Sequence, residues 1–126
     1  VNLERNGMKR DMELVRAILM KMEDCESAKA PKLALEGFSP EQVGYHVLIM
    51  MEAGLLVGVQ TKEIDAEPSA RPVRLTWEGH DFVAACREEG RWQKTKAVAN
   101  QIGGMTLDVF KQILTQIMLG QVSDLV

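Results

Sequence analysis

Apolar residues recur every three to four positions from Met8 to Met22. Met8, Met12, Val15, Leu19 and Met22 form one stripe, and Leu14 and Ile18 widen it. That spacing puts these side chains on one face and predicts a helix from Met8 to Cys25. Lys9, Arg10, Glu13, Arg16 and Lys21 fall mainly on the other faces, with Lys9 and Glu13 one turn apart and able to pair. Pro31 ends a loop over 27–31, and Lys32-Leu33-Ala34-Leu35-Glu36 then alternates with period two, predicting a short strand that Gly37 ends. Ser39, Pro40 and Gln42 supply a capping box with proline at the first helical position, and Phe38 is placed to staple on Val43. The helix that follows carries Val43, Val47, Leu48, Met50 and Met51 inward and stops at Gly54.

Alternation resumes at Leu55, Val57 and Val59, and again at Val73 and Leu75. Between them 62–71 is polar and holds Pro68, so the segment reads as a strand, a charged tip and a return strand. Thr76 caps the next helix, whose inward positions are Phe82, Ala85, Cys86, Trp92, Thr95, Ala99 and Ile102, with Gly90 placed to bend or split it. Gly103-Gly104 breaks the chain, Thr106 caps again, and Leu107 to Leu119 is the last predicted helix. The fold class is therefore mainly α with a small antiparallel sheet (α+β), and the order of elements is that of a winged helix with an added C-terminal helix. The expected division is an extension over 1–7, a winged-helix-like domain over 8–102, and an oligomerising helix over 103–126. Met8 is the expected start of the native pattern. Winged helices that read DNA have two helices between the first strand and the wing. Here Gly37 to Gly54 has room for one.

A chain of 126 residues, 46% hydrophobic and 26% charged, suits a single globular domain. No run has the length and apolarity of a membrane span, and no basic-then-apolar leader opens the sequence, so no membrane contact and a cytoplasmic location are expected. Cys25 and Cys86 lack ligand spacing and read as reduced, packed thiols. Fifteen basic against eighteen acidic residues give a net charge of −3, which weighs against non-specific DNA affinity unless one face is locally basic.

The runs Met8-Lys9-Arg10-Asp11-Met12-Glu13-Leu14-Val15-Arg16, Tyr45-His46, Glu52-Ala53-Gly54-Leu55 and Leu75-Thr76-Trp77-Glu78-Gly79-His80-Asp81-Phe82 resemble one family. Trp92-Gln93-Lys94-Thr95-Lys96 and Thr106-Leu107-Asp108-Val109 look like it too. It is domain-of-unknown-function family 2513, small bacterial proteins often met in prophage regions, and the similarity covers Met8 to about Met118. The resemblance implies a winged-helix-like fold and no catalytic residues.

Four places are candidates for function. The helix from Ser39 to Gly54 stands where a recognition helix would, with Glu41, Gln42, Tyr45, His46, Ile49 and Glu52 expected outside. Gln42 could read adenine, yet this helix has no Lys or Arg and its carboxylates would face phosphate. Gln42, Tyr45, His46 and Ile49 therefore read better as scaffold or protein contact than as base readers. Arg71 and Arg74 flank the wing, where an arginine can enter a minor groove. Glu63, Asp65 and Glu67 offset them in the same loop. Arg87, Arg91 and Lys94 recur at four and three residues and make a basic helical stripe, the first place to look for an anionic partner, although a solvated face partly paired with Glu88 is the plainer reading. Leu107, Phe110, Leu114 and Ile117 form one face of the last helix, and Val109, Ile113, Met118 and Val122 widen it beyond what one contact covers. Leu107, Phe110, Ile113, Leu114 and Ile117 are thus the expected oligomer interface.

His46 and His80 have no ligand partners at metal spacing. His80, beside Asp81 at a helix start, reads as a cap or a core-edge hydrogen bonder. Trp77 and Trp92 read as core or interface anchors. With no phosphate loop, nucleophile elbow or carboxylate pair visible, neither catalysis nor a cofactor is expected. What remains is a small binding protein, either a phage-related DNA-binding regulator or an adaptor that contacts only protein, and in both cases a homo-oligomer.

Overall fold

Asp11 starts the first helix. The computed structural model describes residues 8–25, 33–61, 68–103 and 106–120. Within them α1 runs Met12–Glu23, and the Asp11 carboxylate accepts from the Glu13 amide at 2.9 Å. Lys9 therefore lies outside the helix, and the expected Lys9–Glu13 helical pair does not form. The apolar stripe is otherwise as expected, with Met12, Leu14, Val15, Ile18, Leu19 and Met22 buried.

The expected strand over 32–36 is a correction. Lys32 lies outside the described residues, Leu33 to Leu35 pair with no strand, and Glu36-Gly37 is a turn in which the Phe38 amide donates to the Leu35 carbonyl at 3.2 Å. Leu33 and Leu35 stay half-buried while Ala34 and Glu36 are exposed, so extended coil meets the alternation without a ladder.

Ser39 forms its capping box with Gln42 in both directions, and α2 spans Pro40–Glu52. It ends in a Schellman motif: the Leu55 amide donates to Met50 and the Gly54 amide to Met51, each at 3.0 Å, with Gly54 at φ +78°. β1 (Leu56–Gln60) and β2 (Ala70–Leu75) follow as an antiparallel hairpin. α2 packs on both strands and on α1, and α1 also meets β2.

Thr76 ties the hairpin to the next helix. Its hydroxyl donates to the Gly54 carbonyl at 2.6 Å and accepts from the Gly79 amide at 3.0 Å, while its own amide donates to Leu55 at 3.1 Å. α3 (Trp77–Cys86) starts so close to this turn that a Cβ on Gly79 would collide with the Leu55 carbonyl oxygen. Two of the runs on which the family resemblance rests, Glu52 to Leu55 and Leu75 to His80, meet at this latch. His80 is exposed and sits with its Nδ1 3.5 Å from a Glu23 carboxylate oxygen.

Glu88 breaks the chain after α3 and caps α4 (Glu89–Ile102), so the split falls before Gly90, which lies in the first turn of α4. Thr106 caps α5 (Leu107–Met118) through the Val109 amide at 3.2 Å. α4 and α5 pack together, with the Trp92 and Phe110 rings 5.3 Å apart and both side chains fully buried. The described residues thus hold five helices and one two-stranded antiparallel sheet, a mainly helical α+β fold. The chain divides into two compact units, one ending at His80 and one beginning at Asp81. α5 belongs with α4 in the second unit, so the expected boundary at residue 103 falls inside it.

Candidate binding surface

Arg71 and Arg74 are three residues apart, a spacing that puts two side chains on opposite faces of a regular strand. The hairpin register overrides this. Val57 faces Arg74 and Gly58 faces Pro72, which leaves Val73 as an extra residue in β2. Beyond that bulge Val59 faces Arg71. Val57 and Val59 share a face of β1, so their cross-strand partners Arg74 and Arg71 share it too. All of these side chains are exposed, Val57 at 37% and Val59 at 51%. The Arg74 guanidinium bends back to the Leu75 carbonyl at 3.3 Å. Trp77, three residues past Arg74, is 80% exposed. Its partner in the expected pair of anchors, Trp92, is core.

The α2 surface differs from expectation at its centre. His46, expected outside, is 1% exposed and bridges two helices. Its Nε2 accepts from the Asp11 amide at 2.8 Å, and its Nδ1 lies 2.8 Å from the Gln42 carbonyl, so the geometry puts the ring proton on Nδ1. The cause is position: Val43, Val47 and Met50 face inward, and His46 lies between them where α1 begins. Gln42, Tyr45 and Ile49 remain half-buried, and Glu41 and Glu52 are exposed. The Tyr45 ring stands edge-on to His46 with centroids 6.0 Å apart.

The expected basic stripe is not one helical face: Arg87 lies in the link between α3 and α4, and only Arg91 and Lys94 lie on α4. Arg91 Nε donates to the Ala85 carbonyl at 2.6 Å and Nη2 to Ala84 at 3.4 Å, so its guanidinium caps the end of α3. Arg87 and Lys94 are half-buried and each has a partner within the fold. Glu88 accepts from the Gly90 amide at 2.8 Å and the Arg91 amide at 2.9 Å, and these bonds hold its carboxyl below the usual carboxylate range.

The expected oligomer seam is likewise mostly interior. Phe110, Ile113 and Leu114 are buried within the chain, while Leu107 and Ile117 are half-buried. Met118 and Leu119 at the end of α5 are 54% and 67% exposed. Ile102, expected inward, is exposed as well. Val122 lies outside the described residues. Among the described residues no cluster of His, Cys, Asp and Glu could hold a metal, and no helix is long and apolar enough to cross a membrane.

The sequence pattern does not single out the hairpin face. Gly58 opposite Pro72 is the available signal, because glycine and proline inside strands mark bulges. A small helical α+β protein with an exposed hairpin and a latch at Thr76 is the class that fold and surface define. The chain belongs to the family described as "Hypothetical protein (DUF2513)", which it matches over residues 9–106. It is 31% identical to an "Uncharacterized protein" of Haemophilus influenzae over 109 residues, 84% of this chain and 92% of that one. No solved structure matches it.

Proposed function

We propose that this chain is a small, non-catalytic, winged-helix-like protein of the cytoplasm that works by binding another protein. One observation carries the choice of protein over DNA. In the place of a recognition helix, α2 turns Val43, His46, Val47 and Met50 to the interior and presents Glu41 and Glu52 to solvent, with no lysine or arginine along its length. A groove-reading helix needs cations for phosphate and free polar tips for base edges. A net charge of −3 adds to the case. Self-association at the end of α5 extends this reading, since Met118 and Leu119 are exposed there beside the half-buried Ile117.

The second reading, a phage-related DNA-binding regulator, draws support from Arg71 and Arg74 facing the same way on the wing. Pull-down from the native host, with and without nuclease, tests the first against the second. A direct protein partner survives nuclease treatment. Loss of every partner with nuclease favours the regulator.

A further inference from the structure

We propose that the outer face of the β1–β2 hairpin docks an acidic segment of another protein, one that sets carboxylates beside apolar side chains. The inference rests on the protein-binding reading and names its surface and the chemistry of its partner. Along one side of this face β2 supplies Arg71 and Arg74, and along the other β1 supplies Val59 and Val57. Residues directly opposite have Cβ atoms about 5 Å apart. Same-face neighbours along a strand are about 7 Å apart, so the four side chains outline a small block. One half of the block is cationic and the other apolar.

Arg71 and Arg74, the latter resting its guanidinium on the Leu75 carbonyl, put two like charges on one face, and such a face calls for anions. Planar, weakly hydrated guanidiniums beside apolar groups are common interface material. Phosphates would answer the arginines but leave the valines facing a polar backbone. A long polyanion would also be repelled by the net negative charge of the chain more than a short segment with few charges. A short acidic segment brings few charges and can bury Val57 and Val59 at the same time. Charge complementarity together with the apolar row therefore selects acidic protein over nucleic acid.

The test is fluorescence anisotropy of the full chain with a labelled peptide alternating Glu and Leu, against the same peptide with Gln for Glu and against a labelled random duplex. The Glu peptide should bind at low salt and weaken as salt rises. The Gln peptide should bind roughly tenfold more weakly, the scale expected for two exposed ion pairs. Arg71→Glu with Arg74→Glu should abolish Glu-peptide binding, and Arg71→Lys with Arg74→Lys should keep much of it. Val57→Ser with Val59→Ser should weaken both peptides. Circular dichroism of each variant checks its fold. Equal binding by the arginine-to-glutamate variant, a duplex that binds as tightly as the peptide, or no Glu-peptide binding would each overturn the proposal. If nuclease-resistant partners are still captured equally by wild type and that variant, the protein-binding reading stands and this surface fails.

Discussion

Replacing His46 by phenylalanine keeps a buried ring of similar size and removes both ring nitrogens. The Gln42 carbonyl sits inside α2, where a helical amide can still reach it, so its loss is small. The Asp11 amide is different. It stands at the helix N-cap, where the chain offers no intrahelical acceptor, and its 2.8 Å bond to Nε2 is what satisfies it. Asp11 is exposed but this bond is part-buried, and a donor that the phenylalanine ring covers without replacing its acceptor costs about 1–3 kcal/mol. A His46→Phe loss of about 2 kcal/mol follows, and for a chain of this length that lowers the melting temperature by roughly 8 °C. Urea unfolding followed by circular dichroism should show the midpoint fall with the slope unchanged. Hydrogen exchange gives a local readout, because the Asp11 amide should be protected in the wild type and exchange freely in the variant. A stability change below about 0.5 kcal/mol, the range of ordinary surface substitutions, would refute the bridge and return His46 to the surface that the sequence pattern suggests.

Three further predictions concern the latch, the α4 cap and α5. Gly79→Ala should cost about 1–3 kcal/mol in urea unfolding, since its Cβ meets the Leu55 carbonyl and α3 must back away from its latch. Glu88→Gln should destabilise the protein at neutral pH: a carboxyl whose folded pKa is lowered contributes stability above its unfolded pKa and loses it as pH falls through the folded value, so wild type and variant should converge in acid below the usual carboxylate range. Ile113→Asp should unfold the chain, by about 3–5 kcal/mol for an unpaired buried charge, whereas Met118→Asp with Leu119→Asp should keep full helix content and shift light-scattering mass from dimer to monomer.

Much of the fold was legible because its signals are local. Ser39-Pro40-Gln42 begins α2, Gly54 ends it, and Thr106 begins α5, each by a hydrogen bond or a backbone angle that one residue type supplies. Where tertiary partners decide, the pattern misleads. Leu33 and Leu35 alternate like a strand, but among the described residues no strand pairs with them. Met8 continues the helical stripe, yet Asp11 captures the Glu13 amide and starts the helix later. Gly90 signals the split, but Glu88 is an uncommon cap, and with its carboxylate on the Gly90 and Arg91 amides the break falls two residues earlier than the glycine suggests.

The candidate surfaces divide in the same way. Phe110, Ile113 and Leu114 were legible as apolar, but that they are covered within the chain depends on the packing of α4 on α5, where the Trp92 ring meets Phe110. Arg91 carries charge in any reading of the sequence, yet the Ala84 and Ala85 carbonyls claim it. Arg71 and Arg74 were legible as arginines flanking the wing, but that they share a face depends on the extra residue at Val73.

The central claim is that α2 does not read DNA and that the protein works by contact with protein. Anisotropy of a labelled pool of random duplexes, titrated with the full chain at low salt, tests it most directly. No binding isotherm is expected, as α2 offers carboxylates where a reader needs cations. A saturable isotherm that weakens steeply with salt, with a slope near −0.9 for each phosphate neutralised, and that is lost in Arg71→Glu with Arg74→Glu, would contradict it.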